Sequence, residues 1–181
     1  MMLTQKKLIL WTGKKHSGKT TSAAKLVRTA HNEGFDVAGL LAEALYLNGR
    51  LIGFDAIDLR NETRAPLARL KKDSGKTGRF DFVTEGVKLG SAALSPASTE
   101  FTDLIVVDEF GPLEMKFQGW RRNVDLLVRS SKAAILLVVR QELVRQVRRL
   151  YANIPSLQLS AAESKSINKV ISILKNRRQM S

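Results

Sequence analysis

The chain has 181 residues, with 30 Lys and Arg against 17 Asp and Glu, a net charge of +13, and no cysteine. Absent cysteine excludes a disulfide framework and thiolate chemistry, and with only two histidines, His16 and His31, no His-based metal site can be built. The hydrophobic share of 44% is enough for a single domain over residues 1–181. No apolar run approaches the ~20 residues of a membrane helix, so no membrane partner is expected and the cytoplasm is the expected compartment.

The first elements in chain order are the most informative. Leu8-Ile9-Leu10-Trp11 reads as an apolar strand, Gly13-Lys14-Lys15-His16-Ser17-Gly18-Lys19-Thr20 completes the pattern G-x-x-x-x-G-K-T, and Thr20 to about Asn32 is helix-like, with Ala23, Val27 and Ala30 on one face. Strand, loop and helix in this order make an anion site, because successive backbone N–H groups and the positive end of the helix converge on the same point. Gly13, Lys14, Lys15, His16, Ser17 and Gly18 would wrap the phosphates of a nucleoside triphosphate, Lys19 would reach the β- and γ-phosphates, and the Thr20 hydroxyl would ligate Mg²⁺. Ser74-Gly75-Lys76-Thr77 repeats the last four letters, but Leu70 stands where the first glycine belongs. An exposed turn is expected there.

Further along, Phe35 to Leu41 reads as a second strand, and residues 45–54 as an inserted hairpin with Asn48-Gly49 at its tip. Residues 60–79 are loop-like and basic, Phe80 to Val83 is a short strand, and a helix falls within roughly 86–100. Leu104-Ile105-Val106-Val107 is a continuous apolar run of the kind a central parallel strand requires. Phe117, Trp120, Val124 and Leu127 recur at helical spacing. Ala133 to Val139 is another buried strand, Leu143, Val147 and Leu150 line a basic helix, and Leu157 to Leu159 is a final strand. Ser160 and Glu163 predict a capping box opening the last helix. The alternation gives an α/β fold, a mostly parallel sheet flanked by helices on both sides, with ligands at the carboxyl ends of its strands.

The strand over 104–107 ends in Asp108-Glu109. An acid at the exit of a central strand is the usual counterpart of a phosphate loop: Asp108 would join the Mg²⁺ site beside Thr20, and Glu109 would accept a proton from the attacking water. Lys19 and Glu109 are thus catalytic candidates. Arg69, Arg79 and Arg140 compete to stabilise transition-state charge, with Arg140 first because it directly follows a strand. Glu43, near a strand end, could support metal or water. The positive charge fits an anionic ligand, nucleic acid included, and thickens late in the chain from Arg121 to Arg178, without the interleaved aromatics of single-strand binders.

These segments, in this order, together with Val37 to Glu43, Asn48 to Asp55, Pro66 to Arg69 and Asp108-Glu109-Phe110-Gly111-Pro112-Leu113-Glu114, resemble the small nucleoside-triphosphatase family that includes the cancer-related nucleoside-triphosphatase. The last segment is the most specific. The resemblance implies a RecA-like P-loop fold and slow, Mg²⁺-dependent hydrolysis of several triphosphates. It places Gly13, Gly18, Lys19, Thr20 and Thr21 on phosphate and metal, and Asp108 and Glu109 on metal and water. Two features differ from the family pattern: Lys14-Lys15-His16 replaces small loop residues, and Glu163-Ser164 replaces an Asn-Arg pair at the last helix.

The expected activity is therefore hydrolysis of ATP, GTP or further triphosphates to the diphosphate and phosphate. A small-molecule phosphotransferase, a nucleotide-dependent nucleic-acid-binding switch and a molybdopterin-nucleotide adaptor stay open beside it. Oligomeric state and base preference are not readable from the sequence.

Overall fold

The structure is a computed structural model that describes residues 7–71 and 80–180. The chain runs β1 (Leu8–Gly13), α1 (Lys19–Asn32), β2 (Val37–Leu47), β3 (Arg50–Asp58), β4 (Arg64–Leu70), β5 (Phe80–Phe82), α2 (Thr84–Ala93), β6 (Leu104–Val107), α3 (Pro112–Met115), α4 (Arg121–Ser130), β7 (Ala134–Arg140), α5 (Val144–Leu150), β8 (Ser156–Ser160) and α6 (Ser164–Arg178). The strands form one eight-stranded sheet in the order β5-β4-β3-β2-β6-β7-β1-β8. From β2 to β8 the pairings are parallel, whereas β2, β3, β4 and β5 pair antiparallel in succession.

The continuous apolar runs are explained by helices on both faces. In β1, Ile9 and Trp11 point into one core while Leu8 and Leu10 point into the other, as the two-residue period of a strand dictates. In β6, Leu104 and Val106 join the first core and Ile105 and Val107 the second. The first core is closed by α1 and α6 through Leu26, Val27, Val170 and Leu174. The second is closed by α4 and α5 through Val124, Leu127 and Val147, with Leu94 just beyond α2. A doubly covered parallel sheet of this kind needs apolar residues on both sides of every central strand.

β7 lies between β1 and β6, so the strand that delivers the phosphate loop is not adjacent to the strand that ends in Asp108. The register aligns Gly13 with Arg140 and Leu137 with both Leu10 and Val107. The ends of β1, β6 and β7 therefore open at one edge of the sheet.

Several expectations are corrected. The second strand and the first arm of the hairpin are one continuous strand, β2, of 11 residues. The Asn48-Gly49 tip is as expected, with φ of 48° and 74°, both in the left-handed region that a type I′ turn requires. Residues 64–70, read as loop, form β4; Pro66 is accommodated beside a register shift opposite Phe54/Asp55, where a missing N–H costs least. The helix sought within 86–100 spans Thr84–Ala93 and stops short of Pro96. Phe117 is not on the apolar stripe of α4: it precedes that helix, has φ of 62° and is exposed, with the Arg121 guanidinium 5.0 Å above its ring. The Ser160/Glu163 capping box does not form. Ser160 closes β8 beside Thr12, and α6 starts at Ser164 with no side-chain cap. The stretch Ser74-Gly75-Lys76-Thr77 and Arg79 lie outside the described residues.

Candidate functional site

The loop between β1 and α1 presents Lys14 through Gly18 to solvent and turns back on itself, the Ser17 N–H donating to the Lys14 carbonyl at 3.2 Å. Gly18 is the N-cap of α1, with φ of 76°, a conformation that glycine adopts without steric cost. Lys19 opens the helix and is 9% exposed. Its Nζ donates to the Lys14 carbonyl at 2.8 Å, so the ammonium is folded under the loop, positioned beside the exposed backbone. On Gly13 a Cβ would lie 2.5 Å from Ser17 Oγ and 3.1 Å from Lys19 Cγ, so a side chain there would displace both residues where the loop closes. The chain thus builds an exposed loop with a buried cation folded behind it.

Across the mouth of β7, Asp108 is fully buried. Its carboxylate accepts the Ala42 N–H at 3.1 Å and the Glu109 N–H at 3.0 Å, and the neighbouring Thr20 side chain favours its ionised form. Burial, reinforced by the charge of Glu109, pushes its carboxyl up to about 6. Glu109 itself is exposed and has φ of 58°. A non-glycine residue held in the left-handed region is characteristic of sites where the surroundings dictate the backbone.

The remaining expected residues divide clearly. Lys15, His16, Ser17, Gly18, Lys19, Thr20, Thr21, Glu109 and Arg140 all border one cavity of about 1580 Å³. Gly13 sits at its base through its register with Arg140, and Asp108 lies beneath it. Glu43 lines the same cavity, with Oε2 2.5 Å from Arg64 Nη1. Arg69 does not reach it: its guanidinium bonds Asp55 at 2.7 Å and the Phe54 carbonyl at 2.7 Å, holding β3 to β4. Several late basic residues also have structural partners, Arg121 with Asp125, Lys175 with Glu33 and Arg178 with Asp103.

Glu114 is a residue to which the sequence assigned no role. It is 3% exposed, and its carboxylate accepts the Gly111 N–H at 2.8 Å and the Trp120 N–H at 3.0 Å. Burial raises its carboxyl above the usual carboxylate range. It clamps the segment after Glu109 into a fixed loop, which explains why the D-E-F-G-P-L-E stretch is a unit: Asp108 is buried beneath the cavity, Glu109 borders it, and Glu114 holds the loop that follows them. Only its presence in the quoted motif hinted at this.

Thr20 and Asp108 offer neighbouring hard oxygen donors, the donor chemistry that suits Mg²⁺, which binds through one or two protein oxygens plus phosphate and water. The donor set fits that ion.

A strand, phosphate loop and helix at the carboxyl edge of a parallel sheet, with a buried acid beside the loop threonine, define a P-loop NTPase fold. A family model described as NTPase matches residues 8–174, and the chain belongs to that family. The nucleoside-triphosphatase THEP1 of Methanothermobacter thermautotrophicus is 34% identical over 137 residues, 75% of this chain and 78% of that protein. The protein of the same name from Methanopyrus kandleri is 30% identical over 125 residues, 69% and 67% of the two chains. Among solved structures, a human cancer-related nucleoside triphosphatase matches with a TM-score of 0.69 over 97% of this chain and 99% of that one, at 21% identity. THEP1 from the hyperthermophile Aquifex aeolicus matches with a TM-score of 0.66 over 93% and 99%, at 18% identity. These two likenesses are of fold. The family resemblance drawn from the sequence is borne out.

Proposed function

We propose that the chain hydrolyses nucleoside triphosphates, ATP or GTP first, to the diphosphate and inorganic phosphate, with Mg²⁺ held by Thr20 and Asp108. One observation carries the reading: the Thr20 side chain stands beside the buried Asp108 carboxylate and favours its ionised form, which brings the loop to the acid 88 positions further along the chain. The loop N–H groups and Lys19 bind and orient the phosphates. Glu109, exposed in the same cavity, takes a proton from a water that attacks the γ-phosphorus. Arg140, at the cavity edge, stabilises charge on the phosphoryl oxygens. Mg²⁺, when bound, offsets the charge of the β- and γ-oxygens. A phosphate-release panel over ATP, GTP, CTP and UTP, with and without Mg²⁺, tests the reading. Turnover that needs the ion is expected, and a chain that binds none of the four would refute it.

The pH dependence has a defined sign. Asp108 takes a cation only as the carboxylate, and its carboxyl is pushed up to about 6, so protons compete with metal below that value. The Mg²⁺ concentration giving half-maximal rate is expected to be flat above about pH 7 and to rise roughly tenfold per unit well below pH 6. Metal titrations of the rate at acid and neutral pH measure this, and an unchanged requirement across the range would count against Asp108 as a ligand.

Arg140→Ala is expected to lower kcat by roughly tenfold, less than a full arginine finger because the side chain is only half-buried and screened. Steady-state kinetics with the Arg140→Lys variant as comparison separate charge from shape.

A further inference from the structure

The cavity is larger than a nucleoside triphosphate requires. Sites for small ligands run to roughly 300–1,000 Å³, against about 1580 Å³ here. Its two ends also differ in chemistry. One end is the phosphate loop. The other lies against the antiparallel strands, where Tyr46, Phe54, Phe80 and Phe82 border it. Phe54 and Phe80 meet edge to face at 5.4 Å, while Tyr46 and Phe82 are 62% and 60% exposed. Aromatic surface left open beside a cavity is a place where a flat ring can stack.

Sheet order gives this end its direction. The loop leaves β1, Asp108 and Glu109 leave β6, and β3 to β5 lie beyond β2 on the far side of Glu109. On the reading above, the γ-phosphate points toward Glu109 and the nucleoside trails away from it. Whatever sits against the aromatic end therefore faces the γ-phosphorus. Arg64 and Glu43, which border the cavity beside these strands, are paired with each other. An arginine already paired with a carboxylate offers no free charge to a ligand, and an uncharged molecule suits the aromatic surface beside it.

We infer that the aromatic end is an acceptor site for a neutral molecule with an aromatic ring and a hydroxyl group, and that the chain transfers the γ-phosphoryl group to that hydroxyl. The hydroxyl oxygen bonds to the γ-phosphorus, the bond from that phosphorus to the β,γ-bridging oxygen breaks, the nucleoside diphosphate leaves, and Glu109 takes the hydroxyl proton. Water reaching the same position gives the hydrolysis proposed above, on which this inference rests.

The test supplies γ-labelled ATP and Mg²⁺ with adenosine, guanosine, cytidine, thymidine and tyrosol in turn, and separates labelled organic monoester from labelled inorganic phosphate. Monoester should form with at least one probe and saturate with its concentration. Phe82→Ala should raise the KM for that probe by about tenfold, and Phe82→Tyr should restore it. An unchanged KM in Phe82→Ala, or inorganic phosphate alone with every probe, would overturn the acceptor site. Calorimetric titration with ATP runs alongside. A wild-type chain that binds ATP yet releases only inorganic phosphate refutes this inference alone, whereas one that does not bind ATP refutes the phosphate-loop reading beneath it.

Discussion

Lys19→Ala is expected to weaken triphosphate binding by about 100-fold or more, measured by calorimetry or nucleotide fluorescence with hydrolysis blocked by a non-cleavable analogue. The magnitude follows from the position of the residue. Lys19 is 9% exposed and already held under the loop by the Lys14 carbonyl, so little side-chain entropy is lost when phosphate replaces that carbonyl. Removing one partner of a buried, hydrogen-bonded charge pair costs about 2–5 kcal/mol, and 1.4 kcal/mol is a factor of ten. The exposed neighbours Lys14 and Lys15 cannot compensate, because screened surface charges contribute little. A variant that bound the analogue as tightly as the parent would remove Lys19 from the site.

Glu109→Gln should retain nucleotide binding and lose about 10²- to 10⁴-fold in kcat, the usual contribution of a positioned general base. Glutamine keeps the size and the hydrogen-bonding capacity of the side chain but cannot take the proton. The backbone contact of this residue to Asp108 is made by its N–H, which the substitution leaves intact. A fall in kcat with an unchanged nucleotide affinity is the signature of an interaction made in the transition state. If turnover persisted at the parental rate, the proton would have to go elsewhere, and Glu43, on the same cavity but paired to Arg64, would be the next residue to change.

How far the sequence carried the reading depended on the range of the interactions involved. β1, its loop and α1 were legible because eight contiguous residues encode the turn, the cation and the hydroxyl together. The hairpin tip was legible because Asn48-Gly49 answers a local backbone requirement. β6 was legible as an uninterrupted apolar run, buried on both faces. β4 was missed because Pro66 and the charges of Arg64 and Arg69 argue locally against a strand, while the compensation is tertiary: a register shift opposite Pro66, Asp55 on the adjacent β3 for Arg69, and Glu43 on β2, one strand further, for Arg64. Phe117 was misassigned because helical spacing does not reveal that the helix begins only at Arg121. The clamp by Glu114 was invisible for the same reason, since it bonds backbone N–H groups that carry no side-chain signature.

The placement of β7 between β1 and β6 bears on how the molecule comes together. Neighbouring strands lie about 4.8 Å apart, so the spacing between loop and acid is fixed only once residues 134–140, far along the chain, have been inserted between two strands already synthesised. A partly assembled sheet that paired β1 directly with β6 would crowd the two halves and present no working pocket. Triphosphate should therefore recognise completed molecules alone and stabilise them by mass action, so that occupancy reports on maturation as well as on catalysis.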